Sequence, residues 1–235
     1  MEKHIYCGHF NNSLFEPMST QIFFVEISAV HEPKIDDLMK LVSKERRIQL
    51  AKLRFEIDRK LSLYAELLVR YYIDESLGIK NREAVLLKSK NGKPYLQGHS
   101  EFQFNISHTF NAIAVAFSNN VIGIDIERIK PPDFKIAERF FTFAEQSYIF
   151  SHENPKRAFY EIWTKKEAYI KYLGTGLSAP LRSINTLDNI KTIYTFEIEK
   201  YIISICYEET AETQRPLIIL TEIELHSLLM RLLAS

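Results

Sequence analysis

"IGIDIERI", residues 122–129, is the stretch on which the fold turns. Its strict alternation reads as a strand, with Ile122, Ile124 and Ile126 on one face and Gly123, Asp125 and Glu127 on the other. The apolar face is what a half-buried strand requires. The other face sets two carboxylates about 6–7 Å apart along the strand. Like charges so placed repel unless a cation or water separates them. Gly123, beside them, leaves room for something to approach.

Outward from this stretch, the whole chain of 235 residues is long enough for one large domain or two small ones with a real core. It is 46% hydrophobic and 26% charged, the balance of a soluble globular protein. Thirty basic residues match thirty acidic ones, which excludes the basic excess of a general nucleic-acid binder. An anionic ligand must therefore be held by a local cluster. Cys7 and Cys206 are far apart and belong to no C-x-x-C pair, as expected of reduced thiols in a cytosolic protein. The N-terminus lacks an apolar signal segment and no run is long enough to span a bilayer, so a soluble cytoplasmic protein is expected.

Periodicity predicts strands over 21–30, 84–89, 93–97, 102–107, 111–118, 121–129, 191–198 and 200–208. It predicts helices over 43–54, 59–78, 145–153, 156–174 and 224–234. The order strand, helix, long helix, strands occurs twice, offset by about a hundred residues. FVEI (24–27) aligns with GIDI (123–126), which sets Glu26 opposite Asp125. Glu66 and Arg70 align with Glu167 and Lys171, an acid and a base four apart on each long helix. The expected fold is α+β, with two similar halves (1–118 and 119–235) related by a pseudo-twofold and a ligand cleft between them.

FYEIWTKKEAYIKYLG (159–174) carries a helical stripe of Phe159, Ile162, Trp163, Ile170 and Leu173, with Glu167 and Lys171 on its flank. A helix-surface ion pair at that spacing is common and contributes only about 0.3–0.5 kcal/mol. Lys166 falls inside the stripe, where a lysine must snorkel or meet an anion. Three carboxylates gathered by the fold would instead make a hard oxygen site for Mg²⁺, an ion that binds phosphates as well.

"IGIDIERI" followed by "WTKKEAYIKYLGTGLS" resembles the paired signature of 4′-phosphopantetheinyl transferases, of the larger two-half class typified by the surfactin-synthetase activator. "NGKPYL" and "FNISHT", which precede them in the right order, match two further motifs of that class. The four motifs run from Lys93 to Ser178; before Asn91 the likeness rests on "SKERR", and after Pro180 it is only general. Thr109 and Thr164 stand where the family often has serine.

The resemblance implies transfer of the phosphopantetheine arm of coenzyme A to a serine of an acyl or peptidyl carrier protein, with release of adenosine 3′,5′-bisphosphate. It implies two α+β halves with the site between them, and a Mg²⁺ cofactor. Asp125, Glu127 and Glu167 match the acidic triad around the metal, with Glu167 also the base for the carrier serine, directly or through a metal-bound water. Lys171 matches a phosphate-contacting lysine, and Lys166, beside the base, is either a direct ligand or a snorkelling lysine. Ser107 and His108 match residues on the coenzyme A phosphates, and Lys93 one that reaches the nucleotide. Arg46 aligns with a nucleotide-binding basic position, or is a solvated helix charge, and Ser62 aligns with a hydroxyl position.

Phe140, Phe141 or their neighbours either dock the carrier or fill the core. Fused halves lead to the expectation of a monomer. Carrier domains being acidic, a basic surface near the cleft is expected, with neither nucleic acid nor membrane as partner. The rivals are a non-catalytic module binding coenzyme A or a carrier protein on the same fold, and a different Mg²⁺ phosphotransferase or nuclease.

Overall fold

A computed structural model of the chain describes residues 5–7, 20–27, 35–176, 181–188, 192–208 and 217–234. In order these form β1 (Ile5–Cys7), β2 (Gln21–Glu26), α1 (Ile35–Met39), α2 (Lys44–Ala51), α3 (Glu56–Leu77), the hairpin β3 (Leu86–Lys88) and β4 (Pro94–Leu96), β5 (Gln103–Thr109), β6 (Ala112–Ser118) and β7 (Ile122–Arg128). There follow α4 (Lys135–Phe140), α5 (Phe143–Ser151), α6 (Pro155–Leu173), a 3-10 turn at Leu181–Ser183, β8 (Thr192–Ile198), β9 (Tyr201–Tyr207), β10 (Leu217–Leu220) and α7 (Glu222–Ala234). The part of the expected strand 21–30 beyond Ile27 lies outside the described residues.

Local chemistry sets the helix ends. Ser43 caps α2 by accepting from the Arg46 amide at 3.2 Å. Asn154 caps α6 ahead of Pro155, which occupies the first turn where no amide is needed. Both long helices stop at a left-handed glycine, Gly78 at φ 67° and Gly174 at φ 65°.

The strands form two main sheets, one ordered β1-β10-β2-β6-β5 and one ordered β7-β9-β8. Within them, β2-β6-β5 and β7-β9-β8 are both antiparallel and share a connectivity: first strand, three helices (followed by β3-β4 in the first), then a hairpin whose second strand sits in the middle. The sheets pack face to face. Ile22, Phe24, Ala112, Ala114 and Ala116 of the first meet Ile122, Ile124, Ile126, Ile203 and Ile205 of the second. The opposite face of the first sheet carries Phe23, Val25, Val115 and Phe117 against α3, where Tyr72 stacks on Phe117 at 3.8 Å. The opposite face of the second sheet lies under α6, with Ile202 joining Phe159 and Ile162. The result is an α+β arrangement of four layers: helix, sheet, sheet, helix. Each fully buried aliphatic side chain contributes roughly 1.5–3 kcal/mol to such a core.

Two details depart from the sequence-based expectation. β10 inserts between β1 and β2, and α7 packs on α3, where Lys60 and Glu222 form a buried pair at 2.5 Å. The end of the chain thus joins the sheet of β2, β6 and β5, rather than staying with the β7-β9-β8 sheet as a 119–235 unit would have it. The alignment of Glu26 with Asp125 also fails. Glu26 follows Ile22 and Phe24 on the sheet-facing side and accepts from the Tyr201 hydroxyl at 2.9 Å. Asp125 lies on the helix-facing side of its strand. A one-residue slip in register exchanges the two faces of a strand, and a short sequence match cannot detect it.

Candidate active site

The room beside Gly123 is filled by the protein itself. A Cβ at this position would lie 2.1 Å from the Ala168 carbonyl oxygen and 2.4 Å from the Tyr172 nitrogen. The glycine lets the backbone of α6 press directly on β7. That contact brings Glu167 and Lys171 over Asp125 and Glu127.

Asp125 is buried, and its Oδ1 accepts from Lys171 Nζ at 2.8 Å and from Ser107 Oγ at 2.8 Å. Lys171 Nζ also donates to Ser107 Oγ at 2.9 Å, which closes the triangle. The expected helix pair between Glu167 and Lys171 is therefore not the contact Lys171 makes. Asp125 Oδ2 is buried without a hydrogen-bond partner among the described residues. Such an orphaned acceptor is costly unless a cation or donor reaches it. Glu127 accepts from Thr109 Oγ1 at 2.8 Å. Burial, then Asp125, push its carboxyl above the usual range. Burial, then Asp125 and more weakly Glu127, push Glu167 up too, while Lys171 opposes them. Among the described residues no three His, Cys, Asp or Glu side chains already converge as a metal cage. The three acids are repelling neighbours around one unpartnered oxygen, and in this arrangement the Lys171 ammonium supplies the local counter-charge.

β5 supplies the facing wall. Its odd positions run along β7: Asn105 Oδ1 accepts from the Ile124 amide at 3.0 Å, Ser107 holds Asp125 and Thr109 holds Glu127. Its even positions, Phe104 and Ile106, face α3. His108 continues that side. Desolvation, then the Lys171 cation, lowers its imidazole below the ordinary value; Asp58 and Asp125 oppose this, and Arg46 adds a smaller push. Arg46 and Ser62 meet directly, with Arg46 Nη2 donating to Ser62 Oγ at 2.8 Å. Arg46 Nε also donates to Glu66 Oε2 at 2.5 Å, and Glu66 pairs with Arg70 at 3.0 Å. The two residues expected from the N-terminal likeness are thus neighbours on the His108 side, with the guanidinium engaged by protein.

Lys93 is half-buried and donates to the Ile122 and Lys171 carbonyls, each at 2.9 Å. Burial pulls its ammonium down to about 8. It lines a cavity of about 220 Å³ together with Pro94, Asn105, Ile106, Ile170 and Lys171.

Lys166 departs from the expected ligand role. It is fully buried, pairs with buried Glu145 at 2.8 Å, and donates to the Leu181 and Ile184 carbonyls at 2.8 and 2.5 Å. An ammonium has three donors, and all are engaged away from the acidic cluster. Phe141 is likewise buried, against Phe159 and Trp163, and cannot dock a partner. Phe140 packs edge-on to Trp163, while Phe143 next along is 77% exposed. Sequence reasoning missed the structural work of Asn105 and Thr109. The signal was present in "FNISHT", whose polar residues recur at every second position on one strand face.

Comparison with known proteins adds the class. A family model described as the 4′-phosphopantetheinyl transferase superfamily matches residues 121–220, and one described as 4′-phosphopantetheinyl transferase, N-terminal, matches residues 30–120. The chain is 34% identical over 169 residues to the 4′-phosphopantetheinyl transferase psf-1 of Bacillus pumilus, covering 69% of this chain and 72% of that protein. It is 36% identical over 168 residues to the 4′-phosphopantetheinyl transferase gsp of Aneurinibacillus migulanus, covering 69% of each. To the 4′-phosphopantetheinyl transferase ffp of Bacillus subtilis it is 35% identical over 156 residues, covering 66% of this chain and 70% of that protein. The chain is a transferase. It belongs to the 4′-phosphopantetheinyl transferase superfamily.

Proposed function

We propose that the chain moves the 4′-phosphopantetheine arm of coenzyme A onto a serine of an apo acyl or peptidyl carrier protein, releasing adenosine 3′,5′-bisphosphate. The observation that carries this reading is the Lys171–Ser107–Asp125 triangle with its orphaned Oδ2, set beside two carboxyls that burial, then Asp125, hold above the usual range.

The donor set fits Mg²⁺: hard carboxylate oxygens, an acceptor left unpartnered, and like charges that a divalent ion would relieve. Asp125 through Oδ2, Glu127 and Glu167 would hold it. When bound, the ion neutralises diphosphate charge. The rest falls to side chains. Lys171 and Ser107 orient the diphosphate, and His108, with its lowered imidazole, offers a neutral donor to phosphate oxygen. Arg46 and Ser62 flank the nucleotide side. Glu167, held above the usual carboxylate range, takes the proton of the carrier serine. The serine oxygen then bonds to the β-phosphorus while the bond to the bridging oxygen breaks, and adenosine 3′,5′-bisphosphate leaves with that oxygen. Positioning and charge stabilisation do most of the catalysis.

The shared connectivity of β2-β6-β5 and β7-β9-β8 supports two halves related by a pseudo-twofold, with the site at their junction. The first half would take in the C-terminal β10 and α7. We take the protein to act as a cytoplasmic monomer; among the described residues no helix is long and apolar enough to cross a membrane. Phe143, exposed at the start of α5, suits carrier docking better than Phe140 or Phe141.

The test is to incubate the protein with coenzyme A, Mg²⁺ and an apo carrier, and to weigh the carrier. A gain of the phosphopantetheine mass upholds the proposal. Coenzyme A binding without transfer would favour a non-catalytic module instead. His108→Ala should raise the KM for coenzyme A about tenfold with a smaller change in kcat.

A further inference from the structure

We propose that the hairpin turn 91–93 is a clasp, and that Asn91 and Lys93 are positioning residues that hold the last turn of α6 so that Lys171 stays aimed at Asp125 and Ser107. The inference deepens the transferase reading and rests on it for its kinetic arm.

The turn reaches across from the first half to the second. Lys93 Nζ donates to the Lys171 carbonyl at 2.9 Å and to the Ile122 carbonyl, the first residue of β7, also at 2.9 Å. Asn91 Nδ2 donates to the Gly174 carbonyl at 2.8 Å, just past the helix end. The last carbonyls of a helix have no intrahelical partner and carry the negative end of its dipole. An ammonium placed on one of them both satisfies and stabilises it. Lys171 is held twice as a result: its carbonyl by Lys93, and its side chain by Ser107 and Asp125. Without the first hold, fraying of the last turn would swing the ammonium off the site.

The turn is stiff enough to act this way. The Ser89 amide donates to the Lys93 carbonyl at 2.8 Å, and Ser89 Oγ accepts from the Lys93 amide at 3.1 Å. Gly92 at φ 87° closes it in a region that only glycine occupies readily. Two of the three Lys93 donors are engaged by carbonyls at the junction of β7 and α6, which suits a tie better than a mobile phosphate ligand.

The experiment compares Lys93→Met and Asn91→Ala with wild type by steady-state kinetics and by amide hydrogen exchange over residues 170–174. The clasp predicts that Lys93→Met lowers kcat about tenfold while the KM for coenzyme A stays within about twofold. Asn91→Ala, which removes one exposed bond and should not threaten folding, should lower kcat about threefold. Exchange of the terminal α6 amides should rise about tenfold in Lys93→Met and less in Asn91→Ala. A tenfold rise in the KM for coenzyme A with kcat and exchange unchanged would make Lys93 a nucleotide ligand and overturn the clasp. Unchanged kcat, KM and exchange in both variants would overturn it too. Should wild type load no carrier, the transferase reading fails separately, and exchange alone decides: a rise upholds the clasp, and no change overturns it.

Discussion

α3 and α6 lie on two three-stranded motifs of the same connectivity, yet they rest on different things. Beneath α3, β2 presents Phe23 and Val25, and the helix packs on a full apolar layer in which Phe23 meets Tyr72 at 6.0 Å. Beneath α6, the corresponding face of β7 presents Gly123, Asp125 and Glu127, and the helix backbone touches the strand. The i, i+4 pairs differ in the same sense. On α3, Glu66 closes on Arg70 and Arg46, so its charge is spent on its two arginines. On α6, Lys171 passes over Glu167 and reaches Asp125. A helix kept off its sheet by large side chains can only stabilise. A helix let down onto a glycine can bring its own acid and base against the acids of the strand.

Gly123→Ala should break this comparison most severely. The added methyl would sit 2.1 Å from a backbone oxygen, which cannot rotate away. Overpacking usually costs about 1–3 kcal/mol, and a clash with backbone puts this one at the upper end or beyond, so soluble yield and melting temperature should both fall sharply. An alanine variant with wild-type melting and turnover would show that α6 is not seated by this contact.

Asp125→Ala separates chemistry from fold. It removes the oxygen that Lys171 and Ser107 share, and kcat should drop by about a thousandfold or more. Stability should change little, because the lost lysine contact is offset by relief of repulsion on Glu127 and Glu167. Circular dichroism and thermal melting check the second half of the claim. A contrasting change on α3, Glu66→Ala, should do the reverse: it leaves Arg46 and Arg70 without their carboxylate, costs about 2 kcal/mol of stability, and leaves turnover within a few-fold.

Lys166→Met tests two lysines of one helix against each other. Lys166 and Lys171 are five residues apart, and only the second faces the cleft. Methionine at 166 leaves Glu145 buried without its cation, at a cost of about 3 kcal/mol. Activity per folded molecule should stay within a few-fold. A large loss of kcat at wild-type stability would return Lys166 to the site.

How much of this was legible follows from the kind of signal each feature leaves. Alternation in 122–129 and the helical stripe of 159–174 have fixed periods, and both elements formed where those periods placed them. Those patterns singled out Asp125, Glu127, Glu167 and Lys171, and the family resemblance grouped them as one site; the structure brings Lys171 onto Asp125. Lys166 could not be resolved, since a buried lysine and a ligand lysine look alike until Glu145 arrives from another helix. Gly123 was seen as space without an occupant, because the occupant is a backbone some forty-five residues further on. The insertion of β10 into the first sheet depends on a long-range pairing that "LIIL" does not announce.

The smallest effect is also the one that addresses the acidic cluster directly. Glu127 and Glu167 are both held above the ordinary carboxyl value of 4.5. The folded state therefore binds protons more tightly than the unfolded chain. Their contribution favours the fold below that value and is lost as pH rises through the raised folded values. Without divalent ions, wild type should lose stability relative to Glu127→Gln as pH rises from 4.5 towards 7, until the variant melts about 2 °C higher. Mg²⁺ should then reverse the ranking at pH 7, since saturation at about a hundred times Kd adds about 2.7 kcal/mol to wild type and less to a site missing one carboxylate. On α3 no such crossover is expected, because Glu66 already has its two arginines, so Glu66→Gln should be insensitive to Mg²⁺. Equal Mg²⁺ responses in Glu127→Gln and wild type would remove Glu127 from the metal site and leave the two helices less different than their surroundings make them.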